Sequence, residues 1–369
     1  MDEAGQGEDR IARLRLIRSE QVGPITYIHL LARFGSAAAA LEALPELAAR
    51  GGGRAPRLAT RAAAEQEIAA VAKLGARHLF LGQGLYPPLL AQSEGAPPVL
   101  IAKGELGLLE RPAIALVGAR NASAAGCRFA RQLAHDLGAA GAVVVSGLAR
   151  GIDTAAHDGA LESGTIAVIA GGIDIFYPPE NEARQRAIGE RGLLLAEQPP
   201  GIEPHARHFP TRNRIIAGLA HGTVVVEAAL KSGSLITARN AGEFGRDVMA
   251  VPGSPLDPRA QGCNQLIRDG AILIQTAADV LEAIRPFDVR VAQPGASFAG
   301  SAASTDASDD QRATVIGLLS QTPVPIDEII RQAALSAAIV QTILLELELA
   351  GRLERHAGAK VSLVSQARC

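Results

Sequence analysis

Between Pro112 and Arg285 short apolar runs follow one another: AIALV, AVVVS, TIAVIA, LLLAE, TVVVEA, DVMAVPG and AILI. They are continuous, not alternating. A strand with one wet face alternates polar and apolar side chains, whereas a strand buried on both faces does not. The stretches between them carry helical spacing: in SAAGCRFARQLAHDLGAAG, Phe129, Leu133 and Leu137 recur on one face. Strands alternating with helices imply parallel pairing, so residues 112–285 are predicted to form a doubly wound α/β sheet with helices on both faces.

The chain has 369 residues, more than one core usually serves, so two or three domains are expected. Residues 10–50 read as helices broken at Val22–Pro24 and Phe34–Ser36, followed by GGGRAP and a further helix over 60–74. They place an N-terminal helical domain over 1–80. The Pro-rich 81–111 reads as a connector packed on the core. Residues 286–310, small and polar, read as a flexible linker. Within 311–369 three helical stretches precede a short hairpin, the pattern of a winged helix.

Composition narrows the function. A net charge of -2 gives no global field toward nucleic acid or an anionic membrane, so any polyanion site must be a local patch. Cys127, Cys263 and Cys369 are scattered and odd in number, which gives neither a disulfide framework nor a metal-ligand spacing. MDEAGQGEDR has no secretory character, and no apolar run is long enough to span a bilayer. A cytoplasmic protein without a membrane partner is expected. Aromatic residues make up 3%, low for a protein that would bind bases mainly by stacking; Phe209 and Phe244 are the nearest candidates.

In open α/β sheets ligands bind outside the carboxyl ends of the strands. After AIALV comes Gly118-Ala119-Arg120-Asn121, with Ser123 as an N-cap. After AVVVS comes GLARGID, with Arg150 and Asp153; after TIAVIA comes Gly171-Gly172-Ile173-Asp174. Arg212, Asn213 and Arg214 precede TVVVEA, and Lys231-Ser232-Gly233-Ser234 follow it. Small residues beside a cation at a helix N-terminus offer bare backbone N–H groups, a positive dipole end and a charge, which suits phosphate. Any one such loop is more often a plain turn. Together they favour a phosphate-bearing ligand held by exposed cations.

Neither a nucleotide cofactor nor a metal is expected. GARNAS lacks the third glycine of a dinucleotide fingerprint, Ser146 stands where an acidic residue would hold a ribose, and no Walker motif occurs. Asp153 and His157 share a helix face, His205 and His208 flank one segment, and Glu227 follows a strand. They form no nucleophile elbow, paired-carboxylate spacing or metal set.

As a set, SGLARGIDTAAH, GGIDIFYPPEN, FPTRNRIIAGL, EAALKSGSLITA, GRDVMAVPG and GCNQLIRDGA closely resemble the DNA-processing protein A family, also called DprA or Smf. The resemblance covers 112–285 and extends upstream through YPPLL and PPVLIAKGEL. It implies a Rossmann-like core that binds single-stranded DNA, has no enzymatic activity, and helps load the RecA recombinase on incoming strands during natural transformation, as a homodimer. The family's Gly-Ser-Arg turn falls on Gly118 to Arg120, with Ala119 in place of the serine; its Arg-Asn-Arg segment falls on Arg212 to Arg214 and its Lys-Ser-Gly-Ser turn on Lys231 to Ser234.

Residues 10–50 resemble the family's sterile-alpha-motif-like or helix-hairpin-helix-like region, with a hairpin turn at Gly23-Pro24. In the winged helix the presumed recognition helix, SAAIVQTILLELELAG, has no Lys or Arg and carries Glu346 and Glu348, a face that would repel phosphates. That leaves Arg352, Arg355 and Lys360 on the wing, and a structural or protein-contact role for the domain. A different class, a phosphoribohydrolase on a related core, is echoed by Gly171-Gly172 and Gly222-Thr223 with Glu227, but these lie far apart where that family has them compact.

Overall fold

The computed structural model describes residues 3–284, 306–356 and 358–364, in two compact units: 1–66 with 294–369, and 67–293. The linker expected at 286–310 lies outside the described residues up to 305.

The first unit joins both ends of the chain. It begins with α1 (Glu3–Arg18), α2 (Pro24–Phe34) and α3 (Ala37–Arg50), and α4 (Arg61–Lys73) leads into the second unit. Pro24 at the first turn of α2, Gly35 at φ 72 after it and the Ser36 side chain capping α3 set the breaks expected from sequence.

The second unit is built on a nine-stranded sheet. In chain order it contains β1 (Arg77–Phe80), α5 (Pro88–Ala91), β2 (Val99–Gly104), β3 (Ala113–Val117), α6 (Ala124–Ala139), β4 (Val143–Ser146), α7 (Ile152–Ala160) and β5 (Thr165–Ile169). There follow α8 (Glu182–Arg191), β6 (Leu193–Ala196), α9 (His208–Leu219), β7 (Gly222–Val225), α10 (Ser234–Glu243), β8 (Asp247–Ala250), α11 (Gln261–Arg268), β9 (Ile272–Leu273) and α12 (Ala277–Ile284). The order across the sheet is β1-β2-β6-β5-β4-β3-β7-β8-β9. From β6 to β9 neighbours are parallel; β1 and β2 add an antiparallel margin on β6.

Both faces of the central strands are dry. On β3, Ala113, Ala115 and Val117 pack toward Ile215, Ile216 and Leu219 of α9, while Ile114 and Leu116 pack toward Leu133, Leu137 and Ile152 of α6 and α7. Each fully buried Leu, Ile or Val contributes about 1.5–3 kcal/mol by leaving water. Two-sided burial is why the strand runs are continuous.

The core begins earlier than the sequence suggested. β1 falls inside the expected N-terminal domain and β2 inside the expected connector, yet both are strands of the core sheet. Between these antiparallel margin strands lies only the four-residue α5, too short to give the β-α alternation on which the boundary was drawn.

The C-terminal residues form α13 (Asp309–Leu318), β10 (Val324–Pro325), α14 (Ile326–Ala333), α15 (Ala337–Leu349), β11 (Leu353–His356) and β12 (Lys360–Leu363), the strands ordered β10-β12-β11. This is a winged helix. Described residues of this unit begin before the expected 311, and Asp306 pairs with both Arg33 and Arg50 at 2.7 Å.

The charges of this domain are used differently from expectation. Glu346 is buried and bound by Arg312 at 2.8 and 3.1 Å, and Glu348 is paired with Arg355 at 2.9 Å. These carboxylates are neutralised inside the unit and form no acidic face toward phosphate. Of the wing cations, Arg352 donates to the Gly51 carbonyl at 3.0 Å and Arg355 is the partner of Glu348, so neither is free. The presumed recognition helix, α15, inserts Leu345 and Leu349 among Leu30, Leu41 and Leu44 of the N-terminal helices. GGGRAP makes this approach possible: a Cβ on Gly51 would meet the Glu346 carbonyl, and one on Gly53 the Ala350 backbone.

Gly51 has φ -70, which alanine adopts without strain, so its constraint is steric. Gly51→Ala is expected to destabilise this unit by about 1–3 kcal/mol in calorimetric unfolding of the full chain. Gly23→Ala, with nothing within 4 Å of the added carbon, is the matched control and should leave that transition in place.

Candidate nucleic-acid interface

Going outward from β3, the strands run β4, β5, β6 on one side and β7, β8, β9 on the other, so the winding reverses between β3 and β7. The carboxyl ends of β3, β4, β5 and β7 bring together the loops singled out in the sequence.

A cavity opens above β4 and β5. Its walls are Leu148, Ile169, Ile175, Tyr177, Pro204 and Phe209, with Arg120, Arg150 and Arg212 around them. Close backbone approach shapes it. Gly151 has φ 77 and faces the Ala119 carbonyl, and a Cβ on Gly147 would run into the Arg212 guanidinium. Leu148 is held at φ 55, a left-handed conformation that costs a non-glycine residue about 1–3 kcal/mol. The surroundings fix it there: its side chain is fully buried, and its carbonyl accepts from Asn181 Nδ2 at 2.8 Å.

The cations divide into two groups. Arg120 is exposed, with its guanidinium carbon 5.0 Å from the centre of the Phe209 ring. Arg150 is exposed and only loosely near Glu180, at 3.7 Å. Lys231 is exposed and has no ion-pair partner among the described residues. These three fit the expectation of free cations at strand ends.

Arg212 and Arg214 do not. Arg212 is 6% exposed and donates to the Val168 carbonyl at 2.5 Å. Burial pulls its pKa down to about 10, against the attraction of Asp153. Arg214 is paired with Glu197 at 2.5 Å and donates to the Gly95 carbonyl at 2.6 Å. Both lie on α9, whose packing on the sheet turns them inward. Asn213 between them donates to the Gly233 carbonyl at 3.2 Å, tying α9 to the Lys231–Ser234 turn. Within that turn Ser232 and Ser234 share a hydroxyl hydrogen bond of 2.7 Å.

The backbone N–H groups are also less bare than expected. Asp153 Oδ2 accepts from the N–H groups of Gly147 and Ala149 at 3.2 and 3.4 Å, so the loop after β4 is filled by its own carboxylate. Burial raises the Asp153 pKa, opposed by nearby Arg212. At α6, Ser123 caps the Gly126 N–H as expected, while Glu227 accepts from both the Ser123 N–H and its hydroxyl. The N-terminus of α10, preceded by Gly233, has no side-chain cap.

The titratable residues named from the sequence are engaged in bonds of their own. His157 shares a helix with Asp153 but binds Thr165 Oγ1 at 2.7 Å inside the core. The His205 N–H donates to His208 Nδ1 at 3.3 Å, and no group of three or more metal-binding side chains occurs among the described residues. Of the stacking candidates, Phe209 lines the cavity, whereas Phe244 follows the end of α10 and does not. Tyr177, its ring 5.5 Å from Phe209 and 44% exposed, was not weighed from the sequence, although it stands in the quoted GGIDIFYPPEN.

The family described as DNA recombination-mediator protein A matches residues 77–285, a DprA-like N-terminal HHH domain matches 7–70, and a DprA winged helix domain matches 299–359. The chain belongs to the DNA recombination-mediator protein A family. It is 50% identical over 198 residues to the DNA processing protein DprA of Streptococcus pneumoniae, covering 53% of this chain and 70% of that protein. It is 37% identical over 288 residues to Protein Smf of Escherichia coli, covering 75% of each. The X-ray structure of the Streptococcus pneumoniae protein superposes with a TM-score of 0.62 at 39% identity, over 74% of this chain and 96% of that one. A structure describing the single-stranded DNA binding mode of DNA processing protein A from Helicobacter pylori superposes at 0.53 and 28% identity, over 57% and 96%. The family carries the α/β sheet of parallel strands between a helical N-terminal domain and a winged helix, as found here.

Burial depresses the His157 pKa from 6.5 to about 3, so the unfolded chain takes up a proton in this window that the folded chain refuses. Stability from this residue is therefore full above about 6.5 and falls as pH drops toward 3. His157→Asn should flatten the acid limb of a urea-midpoint profile. Arg212→Ala should cost the core about 1–3 kcal/mol through the unsatisfied Val168 carbonyl, whereas Arg120→Ala should leave the thermal midpoint unchanged.

Proposed function

We propose that this protein grips one strand of single-stranded DNA across the carboxyl ends of β3, β4, β5 and β7 and does no chemistry on it. In this role it protects incoming DNA and helps load the RecA recombinase during natural transformation. The observation that carries the reading is the placement of exposed cations on three strand-end loops: Arg120 and Arg150 line the cavity, and Lys231 stands on the turn after β7 that Asn213 ties to α9. The description of the family as a recombination mediator and the DNA-binding relative from Helicobacter pylori support it.

Each residue then has a part. Arg120, Arg150 and Lys231 meet phosphates. Gly118 and Gly233 keep the backbone open beside them, and Ser232 and Ser234 offer hydroxyls at the α10 N-terminus, the helix end without an internal carboxylate. Arg212, Asn213 and Arg214 act from beneath, holding α9 to β5, β6 and the Lys231 turn. Phe209 and Tyr177 give a base an aromatic surface. A flexible strand can bend into such a site; a stiff duplex cannot. Glu227, the residue echoed by the phosphoribohydrolase alternative, has both carboxylate oxygens engaged by Ser123, which favours the binding reading over the enzymatic one.

A homodimer fits the far margin of the sheet. β9 is an edge strand with Ile272 and Leu273 39% and 47% exposed, and Leu256 is 93% exposed. Open strand edges with apolar side chains invite pairing.

The test is a salt-dependent isotherm. Arg120→Ala and Lys231→Ala should each weaken binding of all single-stranded sequences evenly and flatten the log–log salt slope by about 0.7, one phosphate contact. Folded variants with unchanged affinity and slope would refute the site. Blunt duplex should bind more weakly than single strand at the same salt.

A further inference from the structure

In a doubly wound sheet the crevice between the strands where the winding reverses ordinarily receives the ligand's phosphate, at the N-terminus of the helix that follows the first of them. Here that crevice lies between β3 and β7, with Val117 opposite Val225. It is filled from within. Glu227, just past β7, accepts from the Ser123 N–H at 2.8 Å and from the Ser123 hydroxyl at 2.5 Å. Ser123 in turn caps α6 through the Gly126 N–H at 2.9 Å. A Cβ on Gly126 would lie 2.5 Å from Glu227 Oε1 and 2.6 Å from its carboxyl carbon, so only glycine lets the carboxylate rest on the first turn of α6. A Cβ on Gly118 would lie 3.0 Å from the Glu227 carbonyl, so the two loops also touch through their backbones.

The joined loops carry two of the exposed cations assigned to the strand, Arg120 and Lys231. Arg120 precedes Ser123 on one loop, and Lys231 follows Glu227 on the other. A carboxylate among phosphate-binding cations opposes the ligand unless it does something else there.

We propose that Glu227 is a positioning residue for strand binding. It closes the crevice to free phosphate and fixes the separation of the Arg120 and Lys231 loops, so that both cations meet phosphates of one strand. The proposal rests on the single-strand reading above. Glutamine can do most of this work, its carbonyl accepting from the Ser123 N–H and its amide donating to the Ser123 hydroxyl oxygen. Alanine cannot.

The experiment uses the full chain, carrying Glu227→Ala or Glu227→Gln, alone and combined with Arg120→Ala and Lys231→Ala. Labelled oligo(dT) anisotropy reads affinity, and thermal melting with and without inorganic phosphate reads the crevice. Glu227→Gln is expected to bind close to the parent, and Glu227→Ala, which loses both bonds to Ser123, about tenfold more weakly. In the parent the losses from Arg120→Ala and Lys231→Ala should overlap; with Glu227→Ala they should add. Phosphate should raise the melting point of Glu227→Ala alone. Should that variant not fold, Ser123→Ala, which removes one of the two bonds to Glu227 together with the cap on the Gly126 N–H, is expected to show an intermediate loss in the same cycle. Arg120→Ala and Lys231→Ala with parental affinity would bring down the single-strand reading and this assignment with it. If those two weaken binding while a folded Glu227→Ala, or failing that Ser123→Ala, keeps parental affinity and coupling, Glu227 has no positioning role. Equal stabilisation of parent and Glu227→Ala by phosphate would also overturn the proposal.

Discussion

β3 has parallel neighbours on both sides, and the chain winds away from it in opposite directions. That single reversal decides the rest. The central strands are covered on both faces, so they are mostly apolar, and exposed charges gather at their ends. The helices α6, α7 and α10 all start at those ends, and each presents N–H groups that need a partner. The molecule meets part of this need itself: Ser123, held by Glu227, caps α6, and Asp153 takes up N–H groups of the loop before α7. What these strand ends leave open is the side-chain-uncapped starts of α7 and α10 and a few side-chain cations.

The division among the arginines follows from desolvation. A buried guanidinium loses hydration and is kept only where acceptors replace it. Arg212 has the Val168 carbonyl and the field of Asp153, and Arg214 has Glu197 and Gly95. Arg120 and Arg150 stand on loops in water, Arg150 with only the exposed Glu180 at 3.7 Å, and their charge is available to a ligand. The Arg-Asn-Arg segment thus contributes to the site chiefly as scaffold, by anchoring α9 beneath it.

The two chain ends obey a different constraint, that of surface too apolar to stand alone. Leu345 and Leu349 of α15 complete the core begun by α1 to α3, and the glycines at 51 and 53 allow the helix to come within backbone contact. A helix that elsewhere would face outward is used as packing material, and its glutamates are bound by Arg312 and Arg355. The absence of Lys and Arg from α15 is explained by this burial.

The amino-acid sequence by itself determined the sheet, its parallel core strands, the helix breaks at Pro24 and Gly35, the winged helix and the loops that carry Gly118 to Ser234. These are local consequences of side-chain period, turn chemistry and caps, which depend on near neighbours in the chain. Only the tertiary structure decided that β1 and β2 belong to the core sheet, that Arg212 and Arg214 turn inward while Arg120, Arg150 and Lys231 stay exposed, and that Glu227 reaches Ser123. It also decided that α15 is covered by α3. Each of these depends on residues far apart in sequence, and the energy of a charge or an apolar face is set by what the fold brings against it.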